Sequence, residues 1–511
     1  MIIKAGLLAL FVAVSLAVGF AMRSRNRSVD SFVLGGRSVG PWLTAFAYGT
    51  SYFSAVVFVG YAGQFGWRFG ISAIWIGLGN AFIGSLLAWV VLARRTRLIT
   101  RHLGSATMPD FFGKRLNSSS LKLAASVITF IFLIPYTASL YNGLSRLFEM
   151  AYHVDFVVCI VIMAVITGVY VIIGGYTATA INDFIQGIIM LLGIVLVVGA
   201  VLNVNGGFAG SLKALSNVGD PATTDMPGAF ASIFGPNPLD LLGVVLLTSV
   251  GTWGLPQMVA KYYSIKSEKN ISTGTVISTV FAIFVSGGCY FLGGFGRLFP
   301  VNVAVQGYDA VIPAMLSGFS DWLIGVVIVL VFAASISTLS SLVMSSASTF
   351  TLDFLRGRIV KDMDEKKQLK TIRLLIAVFI VIASVIAIVQ YKGGLTFIAQ
   401  MMGISWGTLA GAFLAPFLYS LYGRWLTRAA VWVNFIFAML VMILNVFARP
   451  SFPAIIQSPI NCGAFVMLAG LVIVPAVSLV TPKLGKDHLD SVFSCIEPDT
   501  DGTGRQFLKA E

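Results

Sequence analysis

The sequence predicts an all-α integral membrane protein, and three observations predict it. Hydrophobic residues make up 57% of the 511 and charged residues only 11%, whereas a soluble globular chain carries about 25% charge. The mean hydropathy is +0.90. Apolar runs of about 20 residues, the length that crosses a bilayer as a helix, recur from residue 2 to residue 481. A chain this long and this poor in charge cannot cover a surface that faces water, so lipid must surround most of it.

Taken in order, the runs give about thirteen transmembrane helices. They lie near 2–22, 40–65, 71–93, 121–149, 154–175, 178–202, 237–262, 270–297, 320–349, 372–391, 395–421, 428–447 and 461–481. The first run is too long for the core of a secretory signal. It is followed by Arg23, Arg25 and Arg27 rather than by small residues of a cleavage site, so it reads as a retained span. No soluble domain intervenes. The expected organisation is one membrane domain over 1–481 and a short polar tail over 482–511.

Two runs carry helix breakers at depth. The run 40–65 is interrupted around Gly49–Thr50, and again at Gly60 and Gly63; the run 237–262 contains Gly251, Gly254 and Pro256. Both residue types weaken a helix. Small residues also serve close helix packing, whereas transporters built from inverted repeats break corresponding helices beside their binding sites. The breakers alone do not choose between these.

The net charge is +13. A soluble protein with that balance would suggest nucleic-acid binding, but here the basic residues lie between apolar spans. One set of alternate loops holds Arg23, Arg25, Arg27 and Arg37, then Arg94, Arg95, Arg97, Arg101, Lys114 and Arg115, then Lys261, Lys266 and Lys269. It continues with Arg356, Arg358, Lys361, Lys366, Lys367, Lys370 and Arg373, then Arg424 and Arg428. The opposite loops hold little beyond Arg68, Lys213, Arg297, Lys392 and Arg449. The asymmetry puts the first set in the cytoplasm, with the N-terminus outside and the C-terminus inside; Lys4 points weakly the other way. Of the four cysteines, Cys159, Cys289 and Cys462 fall in apolar runs and Cys495 in the tail. They show no metal or disulfide spacing and read as packing residues.

Ionisable residues within spans are costly and mark function. Asp183, at the start of the sixth span, is the clearest; the structural alternative is a carboxylate capping its own helix. The ninth span carries Ser335, Ser337, Thr338, Ser340, Ser341, Ser345, Ser346, Ser348 and Thr349. Ser337, Ser340 and Ser341 share one face, and Thr338 and Ser341 an adjacent one. Hydroxyls and freed carbonyls are hard ligands that hold a small alkali cation weakly enough to release it; the alternative is helix contact through small residues. Arg146 and Glu149 are spaced for a structural ion pair. No phosphate-binding loop, zinc-helix motif or nucleophile elbow occurs, and His102, His153 and His488 fall in loops or the tail. An ATP-driven pump and a membrane enzyme both lose support.

The chain resembles the sodium:solute symporter family over about residues 1–480. The resemblance is carried by Gly35-Gly36-Arg37-Ser38-Val39-Gly40, Met108-Pro109-Asp110-Phe111-Phe112, Gly174-Gly175-Tyr176 leading to Asn182-Asp183 and Gln186, and Ser337-Thr338-Leu339-Ser340-Ser341. It implies a five-plus-five inverted-repeat core of the LeuT type, with repeats at about 40–202 and 237–421. It implies sodium-coupled import of a small organic solute across the inner (plasma) membrane, with the sensory module of a signalling system as the alternative. Solute, sodium and lipid are the partners implied, with neither nucleic acid nor an obligate protein partner. A main sodium site is implied at the backbone oxygens of Thr50, Phe53 and Ala334 and the hydroxyls of Ser337 and Thr338. Asp183, Ser340 and Ser341 match the second sodium site of sialic-acid-type members, so one or two coupling ions are implied. Ser54, Tyr136, Thr252, Trp253 and Pro256 match solute-binding positions.

One position departs from the family pattern: Tyr52 stands where proline-type members carry an aspartate. A solute held without that carboxylate should differ from proline. Uptake screening should therefore find a better substrate than proline; proline as the best substrate at micromolar concentration would overturn this reading of Tyr52.

Overall fold

The computed structural model describes residues 2–23, 28–221, 223–356, 359–360, 363–393 and 398–496. Arg25, Arg27, Arg358, Lys361 and the end of the tail from residue 497 lie outside the described residues. The described chain is helical, with isolated β-bridges only. In order the main helices are α1 (Ile2–Met22), α2 (Pro41–Tyr52), α3 (Val56–His102), α4 (Ser119–Tyr152), α5 (Phe156–Asn203), α6 (Pro238–Gly254) and α7 (Pro256–Tyr263). There follow α8 (Lys269–Leu298), α9 (Asp321–Leu355), α10 (Glu365–Gly393), α11 (Ile398–Tyr422), α12 (Arg428–Phe447) and α13 (Pro459–Val480).

Polar side chains mark where these helices start, because the first backbone N–H groups of a helix lack internal partners. Ser118 accepts from Leu121 N at α4, Asp155 from Val157 and Val158 N at α5, and Thr427 from Ala430 N at α12. Asn237 and Ser458 cap α6 and α13 just ahead of Pro238 and Pro459. A proline there costs nothing, since its missing N–H would have been unpaired.

Ten of the described helices are long and apolar enough to cross a membrane, or eleven if the bent pair α6–α7 counts as one span. The expected thirteen is not reached, for a geometric reason. The 47-residue α3 and the 48-residue α5 each join two expected runs. A straight helix of that length would measure about 70 Å, against a hydrocarbon core of about 30 Å. Each also contains a glycine with positive φ, Gly70 at +62° in α3 and Gly175 at +56° in α5. A left-handed residue turns the chain without ending the apolar pattern.

The two predicted interruptions are present, one of them displaced. At α6–α7 the axis bends by 46°, across a 3-10 turn at Val250–Gly254 and an extended Leu255. In the other run the helix holds through Gly49 and Thr50 and ends at Tyr52, with Phe53 extended (φ −113°, ψ 138°). Gly49 serves packing instead: a Cβ there would stand 2.6 Å from the Phe281 ring.

Helices α9 and α11 are the most enclosed, while α1, α5, α10, α12 and α13 turn much of their surface outward. Val161, Val165, Leu192 and Val195 on α5 and Val381, Val385 and Val389 on α10 are exposed. So large an apolar surface would drive aggregation in water and is at home against acyl chains. Several basic residues read as loop charges are inside. Arg97 donates to Ile265 O and Lys266 O, and Arg115 to Ser420 O and Gly423 O. Lys261 lies buried within α7. Arg146 and Glu149 both turn to Tyr391, the cation over its ring at 5.7 Å and the carboxylate accepting from its hydroxyl at 3.4 Å. Lys4 donates to Ala151 O at 3.1 Å and pairs with Asp321 at 3.0 Å. That ties the start of α1 to the start of α9 and the end of α4. All four cysteines are free thiols.

Two helix backbones come into close approach where α3 meets α8. A Cβ on Gly66 would fall 2.0 Å from Gly293 O, and one on Gly293 2.1 Å from Ala62 O. Gly66→Ala should therefore destabilise the fold by at least about 1–3 kcal/mol, the range for overpacking. Gly6→Ala, which would meet nothing within 4 Å, should be neutral. Thermal unfolding of the two purified variants checks this; equal stabilities would refute the close approach.

Candidate functional site

The break between α2 and α3 frees backbone groups in the middle of the protein. Thr50 O, near the end of α2, accepts a short-turn backbone bond from Phe53 N at 3.3 Å, and Phe53 is extended. At the start of α3 the Ala55 N–H donates to Ser335 Oγ of α9 at 3.2 Å. The hydroxyl face of α9 lies directly against the break. Ser337 Oγ stands 3.2 Å from Thr50 O and 2.9 Å from Ala334 O. Thr338 Oγ1 stands 3.0 Å from Phe53 O, 3.1 Å from Ala334 O and 3.5 Å from Thr50 O. All five residues are buried.

A proton count decides what this cluster can do. Two hydroxyls supply two protons, whereas five close hydroxyl–carbonyl approaches converge there. A hydroxyl donates once and has two lone pairs, and a carbonyl only accepts. Lone pairs are thus in excess in a buried, uncharged pocket, a condition that a small hard cation relieves. The residues fit sodium, which needs oxygen ligands and must leave again.

The other three cation candidates are arranged differently. Ser340 Oγ donates to Ser337 O, within its own helix, at 2.8 Å. Ser341 Oγ lies 3.2 Å from Ser51 Oγ and accepts from Lys261 Nζ at 2.9 Å. Asp183 is fully buried in α5, eight residues past the turn at Gly175, and neither carboxylate oxygen accepts a hydrogen bond among the described residues. It caps no helix. Its opposite charge is Lys261, with Nζ 3.8 Å from Oδ2.

The solute candidates divide. The hydroxyls of Ser54, beside the break, and Tyr136, on α4, are buried and unpartnered among the described residues. Thr252 donates to Ser249 O and Trp253 Nε1 to Ile83 O, so both have partners at the second break. Pro256 lines a narrow cleft bounded also by Leu34, Thr107, Met108, Lys261, Ser340 and Ser341. That cleft ends one helical turn from Thr338. Sequence reasoning missed Trp406 on α11. Its ring meets Tyr52 edge-on at 6.3 Å and Tyr136 at 5.8 Å, and its indole N–H is buried without a partner among the described residues. The signal was faint: a large aromatic between Gly403 and Gly407 in an apolar span. Tyr52 itself donates to Thr248 O, linking the first break to α6.

Comparison with known proteins agrees with this architecture. The chain is 28% identical to a sodium/proline symporter of Staphylococcus aureus over 495 residues, covering 94% of this chain and 92% of that one. Its fold matches a sodium-coupled sialic acid symporter solved in a substrate-bound outward-open state, with TM-score 0.73, 18% identity and coverage of 95% and 99% of the two chains. A nucleobase-cation-symport-1 family transporter in a closed conformation matches more distantly, at TM-score 0.51, 13% identity and coverage of 90% and 97%. The model of the sodium:solute symporter family matches residues 32–436 of the 511. The chain therefore belongs to the sodium:solute symporter family: it is a membrane transporter that couples solute import to sodium, and not an enzyme.

Proposed function

We propose that the coupling sodium binds at Thr50 O, Phe53 O, Ala334 O, Ser337 Oγ and Thr338 Oγ1. The observation that carries this is the excess of oxygen lone pairs over protons where α9 meets the α2–α3 break. Asp183, Ser340 and Ser341 are not assigned to an ion, because Lys261 donates to Ser341 and pairs with Asp183. The solute lies beside the break, against Ser54, Tyr136, Tyr52 and Trp406, with Thr252, Trp253 and Pro256 forming the wall at the second break. The unpartnered groups of Ser54, Tyr136 and Trp406 support that placement, since buried polar groups normally have partners and a polar solute would supply them. The apolar and aromatic lining around a few such groups is the usual composition of a ligand pocket.

Coupling follows from shared backbone. Sodium draws three carbonyls and two hydroxyls together and so fixes the geometry of the break, from which Ser54 faces the solute. Each ligand then raises the affinity of the other by the same factor. One sodium moving down a potential of 100 mV contributes about 2.3 kcal/mol. The two repeats span about 40–202 and 237–421, each opening on a broken helix. The basic loops face the cytoplasm of a cell whose plasma membrane holds the protein, with the N-terminus outside and the C-terminus inside.

Uptake into proteoliposomes tests the reading, using a panel of amino acids, carboxylates and sugars with the sodium gradient on and off. Thr338→Ala removes a hydroxyl shared among three carbonyls. It should raise the sodium concentration for half-maximal uptake about tenfold or more, the equivalent of about 1.5–3 kcal/mol for a bond to a charged group; Thr338→Ser should restore it. An unchanged sodium dependence in both Ser337→Ala and Thr338→Ala would remove the site. Tyr136→Phe should weaken solute affinity and leave the sodium dependence measured at saturating solute near the native value. The reverse pattern would move the solute elsewhere.

A further inference from the structure

We propose that Lys261 is a tethered cation occupying the place of a second coupling ion, so that a single sodium accompanies each solute. The inference rests on the sodium site proposed above, which supplies that one ion. Lys261 lies five residues into the helix that restarts at Pro256 after the second break. Its Nζ is 2.9 Å from Ser341 Oγ on α9, 3.8 Å from Asp183 Oδ2 on α5, and 5.3 Å from the centre of the Tyr176 ring. Lys261 is 3% exposed and Asp183 0%. Three helices thus meet at one ammonium.

The surroundings of Asp183 are those of a cation site. A fully buried carboxylate persists only if an opposite charge or hydrogen bonds offset it. Neither of its oxygens accepts a hydrogen bond among the described residues, so positive charge must do so. The oxygens of Ser341 and Ser51 complete a polar wall, 3.2 Å apart. A free sodium placed among these oxygens would stand against the Lys261 ammonium, and two like charges in a low-dielectric interior repel strongly. Ser340, which an ion there would also need, has turned its hydroxyl to Ser337 O. The cleft that reaches Ser340 and Ser341 is lined by Lys261 itself, so the path by which an ion would reach Asp183 passes the ammonium.

The substitution keeps one role of an ion and removes another. A covalently held ammonium still draws α5, α7 and α9 together around Asp183. It cannot dissociate, so it carries no charge across the membrane and adds nothing to the driving force. Its flexible four-carbon stem lets it follow movements of α7 without releasing its charge.

Equilibrium binding of radiosodium to the purified full-length protein, with choline replacing unlabelled sodium, tests this without knowledge of the solute. The native protein should bind one sodium per chain. Lys261→Ala should bind two, because removing the ammonium leaves Asp183 and Ser341 to a free ion. Lys261→Ala combined with Asp183→Asn should return to one. Thermal unfolding of each variant establishes that it is folded. A native count of two, falling to one in Asp183→Asn, would overturn the proposal without any lysine variant; so would a folded Lys261→Ala that still binds one. Thr338→Ala separates the two readings. If it abolishes the native ion while Lys261→Ala gains one, both stand. If the native ion is indifferent to Thr338→Ala while Lys261→Ala still gains one, the main site lies elsewhere and the Lys261 assignment holds.

Discussion

The helix break between Tyr52 and Val56 is the constraint on which the centre of this protein depends, because in a membrane a backbone group released from a helix has no water to turn to. Each unpaired group there costs several kcal/mol. The break is bearable only because α9 presents a hydroxyl at each place where one is needed: Ser335 accepts from Ala55 N, Ser337 approaches Thr50 O, and Thr338 approaches Phe53 O. The enclosure of α9 follows from this role. A helix that supplies so many polar groups to a neighbour cannot face lipid, and α9 packs against α1, α2, α4 and α5.

At the second break, extended Leu255 separates α6 from α7; beside it the Trp253 indole donates to Ile83 O of α3, and Thr252 donates to Ser249 O within its own segment. Tyr52 joins the two breaks by donating to Thr248 O. A shift at one break is therefore felt at the other through a hydrogen bond, and the solute pocket proposed between them has walls that move together. Lys261, just beyond the second break, extends the linkage to α5 through Asp183 and to α9 through Ser341.

Charge inside this protein is used as a fastener. Arg97 and Arg115, which look like loop charges, bond carbonyls at the ends of other segments. Outside the spans, burial and the nearby Arg424 charge push the Arg115 guanidinium down to about 10, and its bonds to Ser420 O and Gly423 O hold it against that cost. Lys4 ties α1 to α4 and α9. Counting such residues toward orientation overstates the loop charge, though Arg94, Arg95, Lys366 and Lys367 remain at the surface or near it.

Much was determined by sequence alone. Composition and run length dictate a helical membrane protein, because apolar runs of about 20 residues fit a bilayer as helices and are too long and too uniformly apolar for the strands of a barrel. Glycine and proline at depth mark both broken helices, and the hydroxyl run on α9 marks the oxygen-rich face, since each is a local chemical signal. Tertiary structure decided what required two distant segments to meet. The break falls at Phe53, and Gly49, inside the helix, packs against Phe281. Two pairs of apolar runs follow one another without a loop, because Gly70 and Gly175 turn the chain without interrupting its hydropathy. Trp406 enters the proposed solute pocket only through its contacts with Tyr52 and Tyr136. Lys261 reads as a loop charge until Asp183 and Ser341, 78 residues before it in one case and 80 after it in the other, are brought to its ammonium. A one-dimensional pattern records which residues are polar, but not which polar group will neutralise which, and in a medium without water that pairing is what fixes the site.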